Sequence, residues 1–141
     1  MKRRSIPKSL RREVKTRARG FCEYCRSNSW FSESPFEVEH ILPLVGGGEN
    51  VSENLALSCR GCNLRKLIKT DAFDVITEEI VRLYNPRTDV WAEHFGWARG
   101  FTVIVGLTPI GRATVETLKL NREGLVNQRR VLYTFGEHPP E

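Results

Sequence analysis

A chain of 141 residues with 40% hydrophobic and 28% charged side chains has room for one modest core of ordinary globular type, which excludes two large domains. No apolar run of about 18 residues could span a membrane, and the basic start Met1 to Arg4 leads into polar sequence instead of an apolar signal region, so a cytoplasmic protein is expected. The net charge of +5 is uneven: residues 1–19 carry nine Lys or Arg against one acid, Glu13, which leaves the remainder at −3.

The chain opens with this basic arm. Pro7 can start a helix in which Leu10, Val14 and Ala18 recur at near-helical spacing, with Gly20 ending it. Its basic faces have two readings, a contact with nucleic-acid phosphates or a solvated helix surface. Phe21 to Arg26 reads as a knuckle carrying Cys22 and Cys25, and residues 27–35 as a polar loop. Phe36 to Leu42 alternates as a strand, with Val38 and His40 on one face and Glu37, Glu39 and Ile41 on the other, until Pro43 stops it. Gly46 to Gly48 then form either a plain turn or a loop that approaches a phosphate closely.

Asn54 to Ser58 gives a second strand, and Gly61 to about Thr70 a helix with Leu64, Leu67 and Ile68 buried and Arg60, Arg65, Lys66 and Lys69 on its basic faces. Asp71 to Tyr84 reads as an amphipathic helix with Phe73, Ile76, Ile80, Val81 and Tyr84 in the core, broken by NPRTD at 85–89. Val90 to Ala98 and Phe101 to Gly106 are expected to pair as a hairpin. Trp91, Phe95 and Trp97 are expected in the core more than as stacking platforms for bases. Thr108 and Pro109 signal a helix start, Asn121 can cap a second helix, and HPPE reads as a frayed end. Arg112, Lys119, Arg122, Arg129 and Arg130 are read as solvated surface, with a phosphate-binding face as the alternative.

The cysteines carry the clearest chemistry. Cys22 and Cys25, then Cys59 and Cys62, form two CxxC pairs with 33 residues between them, a spacing suited to one tetrahedral zinc. Two disulfides are the competing reading, and they need an oxidising compartment. Zinc held by four thiolates has no open position, so water activation needs a second site.

On these residues, the stretch 18–67 resembles the HNH endonucleases, ββα-metal nucleases with a structural zinc. CEYC, EHILPL, the GGG loop, ENLALSC and CRGCNLRK follow in the family's order and at its usual spacings. Two positions depart from the commonest pattern: Glu39 stands where many members have Asp, and Asn63 where many have His. The resemblance implies an α+β fold, a small ββα-metal core with flanking helices, followed by the C-terminal hairpin and two helices. The expected division is residues 1–84 for the basic helix and nuclease unit and 85–141 for an extension.

The same resemblance implies a metal-dependent endonuclease cutting phosphodiester bonds in double-stranded DNA and leaving 5′-phosphate and 3′-hydroxyl ends. In it Glu39 and Asn63 would hold one Mg²⁺ or Mn²⁺, His40 would be the general base, and Asn54 would orient the imidazole. Oxygen ligands suit such hard ions, and a neutral imidazole can accept a proton from water near neutral pH. Zn²⁺ on the four cysteines would be structural. Arg3, Arg4, Lys8, Arg11, Arg12, Lys15, Arg65 and Lys66 are the expected phosphate contacts. The alternatives are a zinc-containing module that binds DNA without cutting it and a scaffold subunit.

Overall fold

Short helices and two-stranded hairpins follow one another in the computed structural model, which describes residues 5–140. Of the expected phosphate contacts, Arg3 and Arg4 lie outside the described residues. Helix α1 (Lys8–Ala18) begins after Pro7, whose carbonyl accepts the Arg11 amide at 3.0 Å, and closes at Arg19 and Gly20, both left-handed. Its apolar stripe is as expected: Val14 is fully buried with Ile6, Leu55 and Leu57, and Leu10 and Ala18 pack beside them. Lys8, Arg11, Arg12 and Lys15 stay exposed.

Strands β1 (Glu37–His40) and β2 (Leu55–Ser58) pair antiparallel, with Val38 opposite Leu57, Glu39 opposite Ala56 and His40 opposite Leu55. Alternation then divides the hairpin. The Val38 and Leu57 face lies under α1, and the Glu37 and Glu39 face meets helix α2 (Arg60–Lys66). The loop joining the strands is closely packed: a side chain at Gly48 would put its Cβ 1.8 Å from the Leu42 carbonyl oxygen, so only glycine fits there.

Two expectations fail in the next stretch. α2 stops at Lys66, not Thr70, because Leu67 takes a positive φ of 50°; Leu64, Leu67 and Ile68, expected in the core, are 52%, 58% and 65% exposed. The buried residues of this helix are Cys62 and Lys66. Residues 71–84 are no helix but a hairpin, β3 (Asp71–Asp74) and β4 (Glu79–Arg82), with Phe73 opposite Ile80. Turn chemistry overrides the helical spacing. The Asp74 carboxylate accepts the Thr77 amide at 3.1 Å and its hydroxyl at 2.7 Å, and Glu78 is left-handed. Phe73, Ile76 and Ile80 are mostly exposed, whereas Tyr84 is buried.

The C-terminal half follows its expected outline with local changes. A helical turn, α3 (Trp91–His94), replaces the first half of the expected strand; β5 (Phe95–Ala98) pairs with β6 (Val103–Gly106). Thr108 caps α4 (Pro109–Leu118) through the Gly111 amide at 3.0 Å, with Pro109 in the first turn. Asn121 does not cap α5 (Glu123–Thr134): its amide bridges the backbone of Ile104, at 2.8 Å in each direction. The HPPE end is docked at His138, whose ring lies against Trp97 and whose Nε2 bonds the Phe101 carbonyl at 2.8 Å.

One core joins these parts. Cys22, Tyr24, Cys25, Cys59 and Cys62 are buried in the same cluster as Tyr84, Phe95, Ile104, Leu118 and Leu120, with Trp91 and Trp97 packed against it. Trp91 Nε1 donates to the Tyr24 carbonyl at 3.0 Å, and Glu23 pairs with Arg87. No helix among the described residues is long and apolar enough to cross a membrane.

Candidate functional site

The two CxxC turns close on one another. All four sulfurs lie within 4.8 Å of one another and are buried, the one such cluster of potential ligands among the described residues. The Cys25 and Cys59 sulfurs are 3.7 Å apart. A tetrahedron with bonds of about 2.3 Å has edges of about 3.8 Å, so the pocket has the dimensions of a tetrathiolate metal centre. Backbone geometry fixes it: the Cys22 amide donates to the Ser27 carbonyl at 2.8 Å, and the Cys62 amide approaches the Cys59 sulfur at 3.4 Å.

This centre is covered by a cation that sequence reasoning assigned to the surface. Arg122 sets its guanidinium 3.5 Å from the Cys59 sulfur and 3.7 Å from that of Cys62. Gly61 makes the room, since a Cβ there would lie 2.7 Å from the Arg122 nitrogen. Arg129 is likewise buried and donates to the carbonyls of Leu120, Thr102 and Cys25 at 2.7, 2.9 and 3.3 Å. Arg112 pairs with Asp74.

The hairpin and α2 bring the oxygen ligands together in a particular way. Glu39 is 5% exposed; one carboxylate oxygen accepts the Tyr24 hydroxyl and the other the Lys66 ammonium at 3.1 Å. Burial raises the Glu39 carboxyl above its ordinary value, and the Lys66 charge partly offsets that. Burial and the neighbouring Glu39 push the Tyr24 hydroxyl well up. Lys66, expected to contact phosphate, is instead 2% exposed and also donates to the His40 and Ile41 carbonyls at 3.2 and 3.1 Å, so it is unavailable to an external anion. Asn63 faces the neighbouring carboxylate: its amide bonds Glu37, which also pairs with Arg60 at 3.3 Å.

His40 occupies the opposite strand face at the end of β1. Its Nε2 meets the Asn50 side-chain oxygen at 2.6 Å, so Asn50, not Asn54, is the imidazole's partner. Asn54 spends its amide on the loop, accepting the Leu42 amide at 2.8 Å and donating to the Leu42 and Glu49 carbonyls at 3.0 Å each. The sequence contains two Glu-Asn pairs, 49–50 and 53–54, and spacing alone does not distinguish which asparagine reaches the ring. Glu37 was legible only as a same-face neighbour of Glu39. Among the other expected phosphate contacts, Lys8, Arg11, Arg12, Lys15 and Arg65 are exposed.

Residues 22–67, from the first cysteine to the residue after α2, match the family model described as HNH endonuclease. No curated protein matches the chain.

Proposed function

Since residues 22–67 form an HNH endonuclease domain, we propose that this protein hydrolyses phosphodiester bonds of double-stranded DNA, with a divalent ion as cofactor. The observation that carries the reading is the packing of α2 across the β1–β2 hairpin, which gathers Glu37, Glu39 and Asn63 on one face while His40 stands at the hairpin's end with Asn50 on its ring. His40 is the general base, which takes a proton from water; with Asn50 oxygen on Nε2, the accepting atom is Nδ1. Asn54 holds the loop that carries Asn50. Exposed Lys8, Arg11, Arg12, Lys15 and Arg65 supply phosphate contacts that set affinity without reading sequence.

Glu39 and Asn63 fit a divalent ion by donor chemistry, a carboxylate and an amide oxygen, with Glu37 beside Asn63 as a further oxygen donor. Such an ion, Mg²⁺ or Mn²⁺, supplies charge stabilisation to the departing oxygen when bound. Holding it on Glu39 requires that the Lys66 ammonium withdraw from that carboxylate. Zn²⁺ on Cys22, Cys25, Cys59 and Cys62 is the structural ion, closed to water.

The engagement of both Glu39 oxygens by Tyr24 and Lys66 favours a second reading, a zinc-containing module that binds DNA without cutting it. Plasmid cleavage with added Mg²⁺ or Mn²⁺ decides between them. His40→Ala should slow cleavage by about 10² to 10⁴ at saturating metal while fold, zinc content and DNA binding persist. Asn63→Ala should instead raise the metal concentration needed. Wild-type protein that binds DNA and cuts nothing supports the binding module.

A further inference from the structure

A groove of about 450 Å³ opens on the far side of α2 from Lys66, between the polar loop that follows the first CxxC pair and the start of α5. Its volume lies in the range of sites that hold one small ligand unit. Arg60, Arg65 and Arg122 line it, Phe36 and Leu125 give it apolar surface, and no Asp or Glu is among its lining residues. Arg122 sits over the Cys59 and Cys62 sulfurs, so the cysteine side of the groove also carries a cation. Arg60 links the groove to the oxygen cluster of the candidate site, because it pairs with Glu37 and Glu37 bonds Asn63.

The loop wall adds an unusual residue. Trp30 stands on a single helical turn between Asn28 and Ser32, both of which line the groove, and it is 85% exposed. Asn28 fixes that turn by accepting the Trp30 amide at 2.9 Å, and Gln128 of α5 ties it down through the Phe31 carbonyl at 3.2 Å. Trp30 does not itself line the groove but stands in water on the anchored turn whose Asn28 and Ser32 do, and cations for the phosphate with an exposed aromatic face for the base are the combination that binds unpaired nucleotides.

We propose that this groove is a subsite for one unpaired nucleotide of the strand adjoining the scissile phosphate, with its base stacked on Trp30 and its phosphate held by Arg60 and Arg65. The inference rests on the nucleic-acid reading of the HNH domain and extends it to substrate form: DNA with a single-stranded overhang or a splayed end is preferred over a flush duplex. Stacking of one base on one aromatic ring corresponds to about tenfold in affinity.

The test compares a flush duplex with the same duplex carrying a short single-stranded overhang, both fluorescently labelled, by anisotropy with the full chain and no added Mg²⁺ or Mn²⁺. Wild type should bind the overhang form more tightly, and Trp30→Ala should lose about tenfold on that form alone. Arg60→Gln combined with Arg65→Gln should weaken overhang binding and lower its salt slope by about 1.4. All three side chains are largely in solvent, so the variants keep the fold. Equal binding of the two forms by wild type, a Trp30→Ala loss shared by both, or no binding of either overturns the subsite. Cleavage is scored separately on the same duplexes with metal added. A Trp30 effect without cleavage keeps the subsite and removes the hydrolase, and cleavage without a Trp30 effect does the reverse.

Discussion

An ammonium withdrawn from water costs several kcal/mol unless its protons find acceptors, and Lys66 finds three: the Glu39 carboxylate and the carbonyls of His40 and Ile41. Two of these belong to the end of β1, so the lysine fixes the backbone from which the His40 imidazole projects. Lys66→Met should lower unfolding free energy by roughly 3–5 kcal/mol at neutral pH, because it leaves the Glu39 charge buried with only the Tyr24 hydroxyl. The pH dependence has a definite sign. Burial already raises the Glu39 carboxyl, and loss of the ammonium raises it further. The penalty is therefore full above that raised value and eases as pH falls through it towards the ordinary carboxyl range. Chemical denaturation of the variant at neutral and mildly acid pH measures this, and Glu39→Gln added to Lys66→Met should recover much of the loss. A variant whose deficit is the same at both pH values would disprove the buried-charge account.

At the scale of elements, the hairpin of β3 and β4 is tied to α4 by Asp74, which receives Arg112 at 3.0 and 3.1 Å. That guanidinium holds the Asp74 carboxyl well below its usual range. The stabilisation it contributes is thus complete above the ordinary aspartate value near ~3.9 and is lost as pH falls through the lower, folded one. Arg112→Met should release the hairpin at neutral pH, read as faster amide hydrogen exchange at residues 71–82 with little change in α1. The same hairpin marks where the sequence was least legible. Phe73, Ile76, Ile80 and Tyr84 fit a helical period, and only the Asp74–Thr77 turn, a short-range hydrogen-bond choice, makes the segment fold back. By contrast β1, β2 and the two CxxC turns were readable, since alternation and ligand spacing both act over a few residues. Contacts of Asn50, Arg122 and Lys66 were hidden, because each depends on a partner 10 to 63 residues away.

At the scale of the molecule, one core holds the cysteine knuckle together with Phe95, Ile104, Leu118 and Leu120, so a metal held on the four thiols is expected to stabilise both halves together. About one Zn²⁺ per chain is expected by elemental analysis. Cys59→Ser should melt well below wild type, and chelation should unfold the C-terminal helices along with the knuckle in a single transition, followed by circular dichroism. Substoichiometric zinc in fully folded protein would count against the site. The placement of Arg122, 60 residues after Cys62, also has a meaning during synthesis. A ribosome adding about 5–20 residues per second makes the last cysteine about 3 to 12 s before it makes the arginine that covers it. For that interval the nascent knuckle has all its thiols and none of the lid that Arg122 later places over Cys59 and Cys62.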